Sequence, residues 1–150
     1  MKKFYFSDEK EKKRALACLL FAKRTGLIDD SSLEAVAARC EAENQKRKEM
    51  LQNGEVVYGL TQFPLSVYLD YELTRFRLDF ASENETVKKN YRYAPISKKE
   101  RKEYYKNNGD LFTRYGGDKF SFREVSMIIE KKIREEQYEN EINNILCELP

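Results

Sequence analysis

The chain holds no histidine, which removes both the commonest general base and the commonest metal ligand. What remains for chemistry is two adjacent carboxylate pairs, Asp29–Asp30 and Glu135–Glu136, a scatter of serines and three cysteines. General acid–base work needs a carboxyl whose proton affinity is raised by an apolar pocket. Neither pair lies in an apolar stretch, so both read as solvated or capping groups. The serines have no base to take their proton. Cys18, Cys40 and Cys147 lie far apart without CxxC spacing, and so compose no zinc site. They read as small buried apolar residues, with a Cys18–Cys40 bridge across two helices left open. "YGGD", Tyr115 to Asp118, is too short for a phosphate-cradling loop and lacks the lysine and hydroxyl that follow one. These residues predict a chain that is not an enzyme and uses no cofactor and no metal.

Charge points the same way. Lys+Arg is 28 and Asp+Glu is 26, a net charge of only +2, whereas a nucleic-acid binder carries a larger or more segregated basic excess. Basic clusters at Lys46–Lys48, Lys88–Lys89, Lys98–Lys102 and Lys131–Lys132 do interleave with Tyr91, Tyr93, Tyr104 and Tyr105, and tyrosines can stack on bases. Each cluster nevertheless has acidic neighbours at helical spacing, which predicts a salt-bridged solvated face and no nucleic-acid partner. The longest apolar run, Ala15 to Ala22, follows "DEKEKKR" and ends at Lys23–Arg24. It is too short to span a bilayer and is flanked unlike a signal peptide, so no membrane insertion is expected. The chain reads as soluble and unprocessed: cytoplasmic as it stands, extracytoplasmic if a leader has been removed.

The aromatic residues are the anomaly. There are 10 Tyr and 9 Phe with no Trp, and Tyr58, Phe63, Tyr68, Tyr71, Phe76 and Phe80 crowd into one stretch. Phe76 and Phe80 suit a core. A tyrosine offers a broad apolar body with one polar tip, which suits a surface that grips polypeptide. Tyr58, Phe63, Tyr68 and Tyr71 are therefore the candidate peptide-binding residues.

The elements that must position them are helices, five or six of them in one all-α domain spanning the 150 residues. Ser7 is placed to cap a first helix, about Asp8 to Thr25, with Gly26 as its stop. "SSLE" at Ser31 is a capping box opening a second helix, apolar at Leu33, Val36, Ala37 and Cys40 and then polar to Gly54. Thr61 and Pro64 open the third. Its stripe of Leu65, Leu69, Leu73, Phe76 and Phe80 predicts the centre of the fold. From Glu83 to Ile96 the pattern weakens, with helix persisting to about Lys89 and extended chain before Pro95. Capping boxes at Ser97 and Ser121 open two more helices, the first stopped by Gly109. The last is long, about 25 residues or ~37 Å at the standard rise.

"ISKKERKEYYKNNGDLF" resembles the helix that ends the N-terminal chaperone part of SurA- and PrsA-type foldases, with Ser97, Glu100, Tyr104, Tyr105, Asn107 and Phe112 in the matching places. Upstream, Glu43, Asn44, Arg47, Tyr58, Gly59, Phe63, Tyr68 and Tyr71 are similar to the pattern of Gram-positive relatives. Downstream, "FSFREVSMIIEKKIREEQYENEI" resembles the helix that returns after the parvulin prolyl-isomerase domain, which "TRYGGDK" here replaces. The resemblance implies a helical bundle closed by the long final helix. It also implies a Ser97 helix acting as a joint, with Tyr105 and Phe112 buried and Tyr104 nearer the surface. The implied function is a chaperone-like module that holds an apolar segment of a client polypeptide. The alternative is an accessory or assembly subunit that docks on one fixed protein partner, or on itself as a homodimer.

Overall fold

Short polar side chains decide where the helices begin. The computed structural model describes residues 4–149. In chain order it has α1 (Glu9–Arg24), α2 (Leu33–Gln52), α3 (Leu65–Ala81), α4 (Glu85–Asn90), α5 (Lys98–Asn107), a 3₁₀ turn (Gly109–Phe112) and α6 (Phe122–Glu148). Six α-helices and the absence of a named strand among the described residues make the fold all-α, as the patterning predicts.

Several caps fall one residue from their expected places. Asp8 caps α1, accepting from the Glu11 N–H at 2.8 Å. Ser7 stands just outside, its N–H donating to the Glu11 carboxylate at 2.6 Å. Ser32, not Ser31, caps α2 through the Ala35 N–H. The shift follows from Asp30, whose carboxylate accepts from the Ser32 N–H at 2.8 Å and holds the turn ahead of the helix. Ser97 caps α5, and Ser121 with Glu124 forms a complete capping box on α6. α3 departs most from expectation. Pro64 itself takes the cap position with no side-chain cap, and Thr61 is not used, because the Phe63 N–H ahead of it is bound by the Asn44 side chain at 2.6 Å.

α6 packs along α1, α3 and α5, while α2 leans on α3. Apolar side chains from α1, α2 and α3 form one core, including Leu19, Val36, Cys40, Leu69 and Phe76. A second joins α1, α3, α4 and α6 around Phe80, whose ring centroid lies 5.0 Å from both Tyr91 and Tyr93, 5.6 Å from Tyr138 and 5.7 Å from Phe21. Such ring pairs contribute ~0.5–1.5 kcal/mol each beyond the area they bury. The third is small: Phe112, Val125 and Ile129, with Tyr104 and Tyr105 half-buried beside them. The Tyr105 ring stacks on Phe112 at 5.5 Å, so the α5 segment is a joint against α6.

The region from Glu83 to Ile96 is where the sequence reading fails. α3 ends at Ala81 rather than running on. Glu83 takes a left-handed conformation (φ 54°), and Asn84 caps a separate short α4. At the far end of α5, Asn108 is the C-cap and Gly109 starts the 3₁₀ turn instead of stopping the helix. The link to α6 is closed by one antiparallel bridge, Thr113 to Lys119, around the Gly116–Gly117 turn. A side chain at Gly26 would be strained. The residue sits at φ 83°, and a Cβ there would lie 2.5 Å from the Asn90 amide nitrogen, which donates to the Thr25 carbonyl. Cys18 and Cys40 are buried in different cores and form no disulfide with each other, which answers the open question of a bridge.

Candidate protein-docking site

The four candidate aromatics do not share one environment. Phe63 and Tyr68 are buried in the α1–α2–α3 core, whereas Tyr71 is 43% and Tyr58 84% exposed. Phe63, Tyr68 and Tyr71 do form one ring cluster, with centroids 5.6 Å (Phe63–Tyr68), 5.4 Å (Phe63–Tyr71) and 6.1 Å (Tyr68–Tyr71) apart. Tyr58 stands outside it, on the loop between α2 and α3.

That loop is held from behind by two residues of α2. The Arg47 guanidinium donates from one nitrogen to the carbonyls of Tyr58 (2.8 Å) and Leu60 (2.6 Å). Its Nε meets Glu43 at 2.9 Å, and its plane lies 4.7 Å from the centre of the Phe63 ring. Asn44, one turn away, donates to the Phe63 carbonyl at 3.1 Å and accepts from the Phe63 N–H. Gly59 between the clamped carbonyls has φ 80°, a conformation that glycine adopts without strain. The helical spacing of Glu43, Asn44 and Arg47 thus serves the backbone of a loop, a role that the sequence pattern flags only as a pattern.

Two ion pairs, each with one buried and one part-exposed partner, were not anticipated. Glu72 interrupts the apolar face of α3 and is 5% exposed. Arg39 of α2 reaches it with Nε at 2.9 Å from Oε1 and a second nitrogen at 3.1 Å from Oε2. Burial, and then the Glu72 carboxylate beside it, holds the Tyr68 hydroxyl protonated well above the usual tyrosine range. On α6, Arg134 is 5% exposed. It donates to the Ala94 carbonyl at 2.8 Å, meets Glu83 at 3.5 Å and lies over the Tyr93 ring at 4.7 Å. A charged residue at a core-facing position is itself the signal that a partner must exist, and Glu72 offers that signal in the sequence.

The expected salt-bridged faces form only in part. Lys88 pairs with Glu85 and Lys132 with Glu135, each at 3.9 Å. Lys98, Lys99, Lys102 and Lys106 instead lie exposed around one shallow depression of α5, and no ion pair involves them among the described residues. Among those residues no cluster of His, Cys, Asp and Glu could hold a metal ion, and no helix is long and apolar enough to cross a membrane.

No family model matches the chain. It is 28% identical over 130 residues to a chaperone for lacto-N-biosidase from Bifidobacterium longum subsp. longum, a match covering 86% of this chain and 44% of that protein. These findings overturn the foldase resemblance. The positions that carried it are packing and clamping residues: Tyr105 on Phe112, and Glu43, Asn44 and Arg47 on a loop. Helical proteins of other descent can share such residues, and the Thr113–Lys119 link is a closed turn in its own right. The fold superposes on crystal structures of the GH136 lacto-N-biosidase from Eubacterium ramulus, native and selenomethionine forms, with TM-scores of 0.78 and 0.77 at 25% identity. The match covers 92% of this chain and 28% of those, so the chain is similar to a minor portion of a lacto-N-biosidase and to less than half of a lacto-N-biosidase chaperone.

Proposed function

We propose that this chain is a non-enzymatic accessory unit that docks on one fixed partner, a glycoside hydrolase of the lacto-N-biosidase kind, and supports that partner's folded state. One observation carries the reading. The chain is similar in sequence to a protein named a chaperone for lacto-N-biosidase, and its fold superposes on part of the chain of a lacto-N-biosidase. A unit similar both to a chaperone named for a hydrolase and to part of such a hydrolase's own chain is suited to docking on that hydrolase, and covalent linkage raises the effective concentration of such a contact. Residues 1–150 act in this reading as one helical unit. The fixed-partner reading is favoured over promiscuous holding of client segments by the burial of Phe63 and Tyr68, which leaves Tyr58 and Tyr71 to meet another protein.

The test is co-expression of the tagged chain with the GH136 lacto-N-biosidase of the source organism. The reading expects the hydrolase to co-purify in a fixed ratio, with soluble yield and activity that fall when the chain is omitted. Equal yield and activity without it, and no co-purification, would remove the reading.

A further inference from the structure

We infer that the hydrolase partner seats on the face formed by the Tyr58–Leu60 loop and the first turns of α3, with Tyr58 as the anchoring side chain. This rests on the accessory-unit reading above and adds to it the surface used.

The loop and the start of α3 each expose large apolar side chains. Tyr58 is 84% exposed, Leu60 46%, and Val67 and Tyr71, one turn apart on α3, 43% each. Arg47 joins the parts: it binds the carbonyls of Tyr58 and Leu60 and lies over Phe63, whose ring packs on Tyr71. Tyr5, 80% exposed, borders the same face, since its N–H donates to the Ser66 hydroxyl at the start of α3. Tyrosines and aliphatics so exposed present on the order of 500 Å² of side-chain surface. That is at the upper end of what a lone soluble protein shows as one patch, and more than half of the ~800 Å² each partner contributes to a stable interface.

The face is also held rigid. An exposed loop gains nothing for its own stability from presenting Tyr58 to water, yet Arg47, Glu43, Asn44 and Gly59 fix its backbone from behind. Fixing a loop before it binds lowers the ordering cost of association, and a rigid aromatic on such a loop is the usual anchor of an interface. The relatives name the occupant: one is a chaperone for lacto-N-biosidase, and only 28% of the Eubacterium ramulus lacto-N-biosidase matches this fold, so most of that hydrolase lies outside it.

The experiment uses the co-purified complex and follows its dissociation after dilution. Tyr58→Ala and Leu60→Ser are each expected to speed dissociation roughly tenfold or more, with unchanged melting of the free chain, because interface substitutions act mainly on the off-rate. Tyr115→Ala, fully exposed on the α5–α6 link, is expected to change nothing. Arg47→Ala is expected to weaken the complex with Tyr58 still present, and to open residues 55–62 to proteolysis. If the wild-type complex forms and both Tyr58→Ala and Leu60→Ser dissociate at its rate, the assigned surface is wrong while the accessory role stands. If no wild-type complex forms, the accessory reading fails and takes this surface with it. If light scattering finds the free chain dimeric and Tyr58→Ala makes it monomeric, the occupant is a second copy and the assignment is overturned.

Discussion

Glu83 and Arg134 meet at 3.5 Å across the sharp break that separates α3 from α4, and Glu83 makes the contact from a left-handed backbone (φ 54°). The break is thus tied to α6 by a guanidinium that also holds the Ala94 carbonyl. A non-glycine residue in that conformation carries a cost of about 1 kcal/mol or more. Glu83→Gly should therefore be more stable than Glu83→Ala by about 1 kcal/mol, since both lose the carboxylate and only glycine relieves the backbone. Urea unfolding of the two variants decides it, and equal midpoints would show that the backbone there is not strained.

Arg39 and Glu72 offer a sharper contrast. Arg39→Ala leaves a carboxylate 5% exposed without its cation and should destabilise by about 3–5 kcal/mol. Replacing both, Arg39→Met with Glu72→Met, should cost far less, because no unpaired charge stays buried. A double-mutant cycle by chemical denaturation measures the coupling, and additive effects would mean that the pair is not coupled in solution.

The aromatic core sets an alkaline limit on stability. Burial first, and the Glu141 carboxylate next, push the Tyr91 hydroxyl up to about 12, and burial also raises Tyr68, Tyr93 and Tyr138. An unfolded tyrosine ionises at roughly 10. The folded state therefore keeps protons that the unfolded state releases. The contribution is fully present below about pH 10 and falls away as pH rises toward the folded values. Stability should hold level to about pH 9 and then decline, with part of the tyrosine ionisation appearing only on unfolding. A titration in which every tyrosine ionises near pH 10 with the fold intact would contradict this.

Thiol chemistry should sort the cysteines. Cys147 is exposed, whereas Cys18 and Cys40 are buried, and burial raises the Cys18 thiol. A thiol reagent should modify one site quickly in the native protein and all three in denaturant. Fast native labelling of Cys18, read by mass spectrometry, would show that the Phe80-centred core opens readily.

The helices were legible because their signals are local. Ser97, Ser121 and the Leu65–Phe80 stripe act within a few turns of chain; α5 and α6 begin where the serines predict, and the stripe lies within α3. The breaks and the site were less legible because their causes lie far away in sequence. Nothing near Glu83 announces that Arg134, 51 residues on, will stabilise a turn there. Likewise the composition of Tyr58–Tyr71 cannot say which rings turn inward. Phe63 and Tyr68 turn into the core while Tyr58 faces out, and Asn44, 19 residues before Phe63, holds the Phe63 backbone there. The foldase likeness failed for a related reason: helix-packing residues record which faces meet, and unrelated bundles can meet alike.

The ring cluster around Phe80 has a consequence for synthesis. Phe21, Phe80, Tyr91 and Tyr93 are translated well before Tyr138, which completes their enclosure from α6. Until α6 is made, the earlier rings lack the side chain that covers them. The Phe80 cluster is thus closed only by a helix that begins some thirty residues after the Tyr91–Tyr93 pair, which makes this core the part of the fold most dependent on a distant segment.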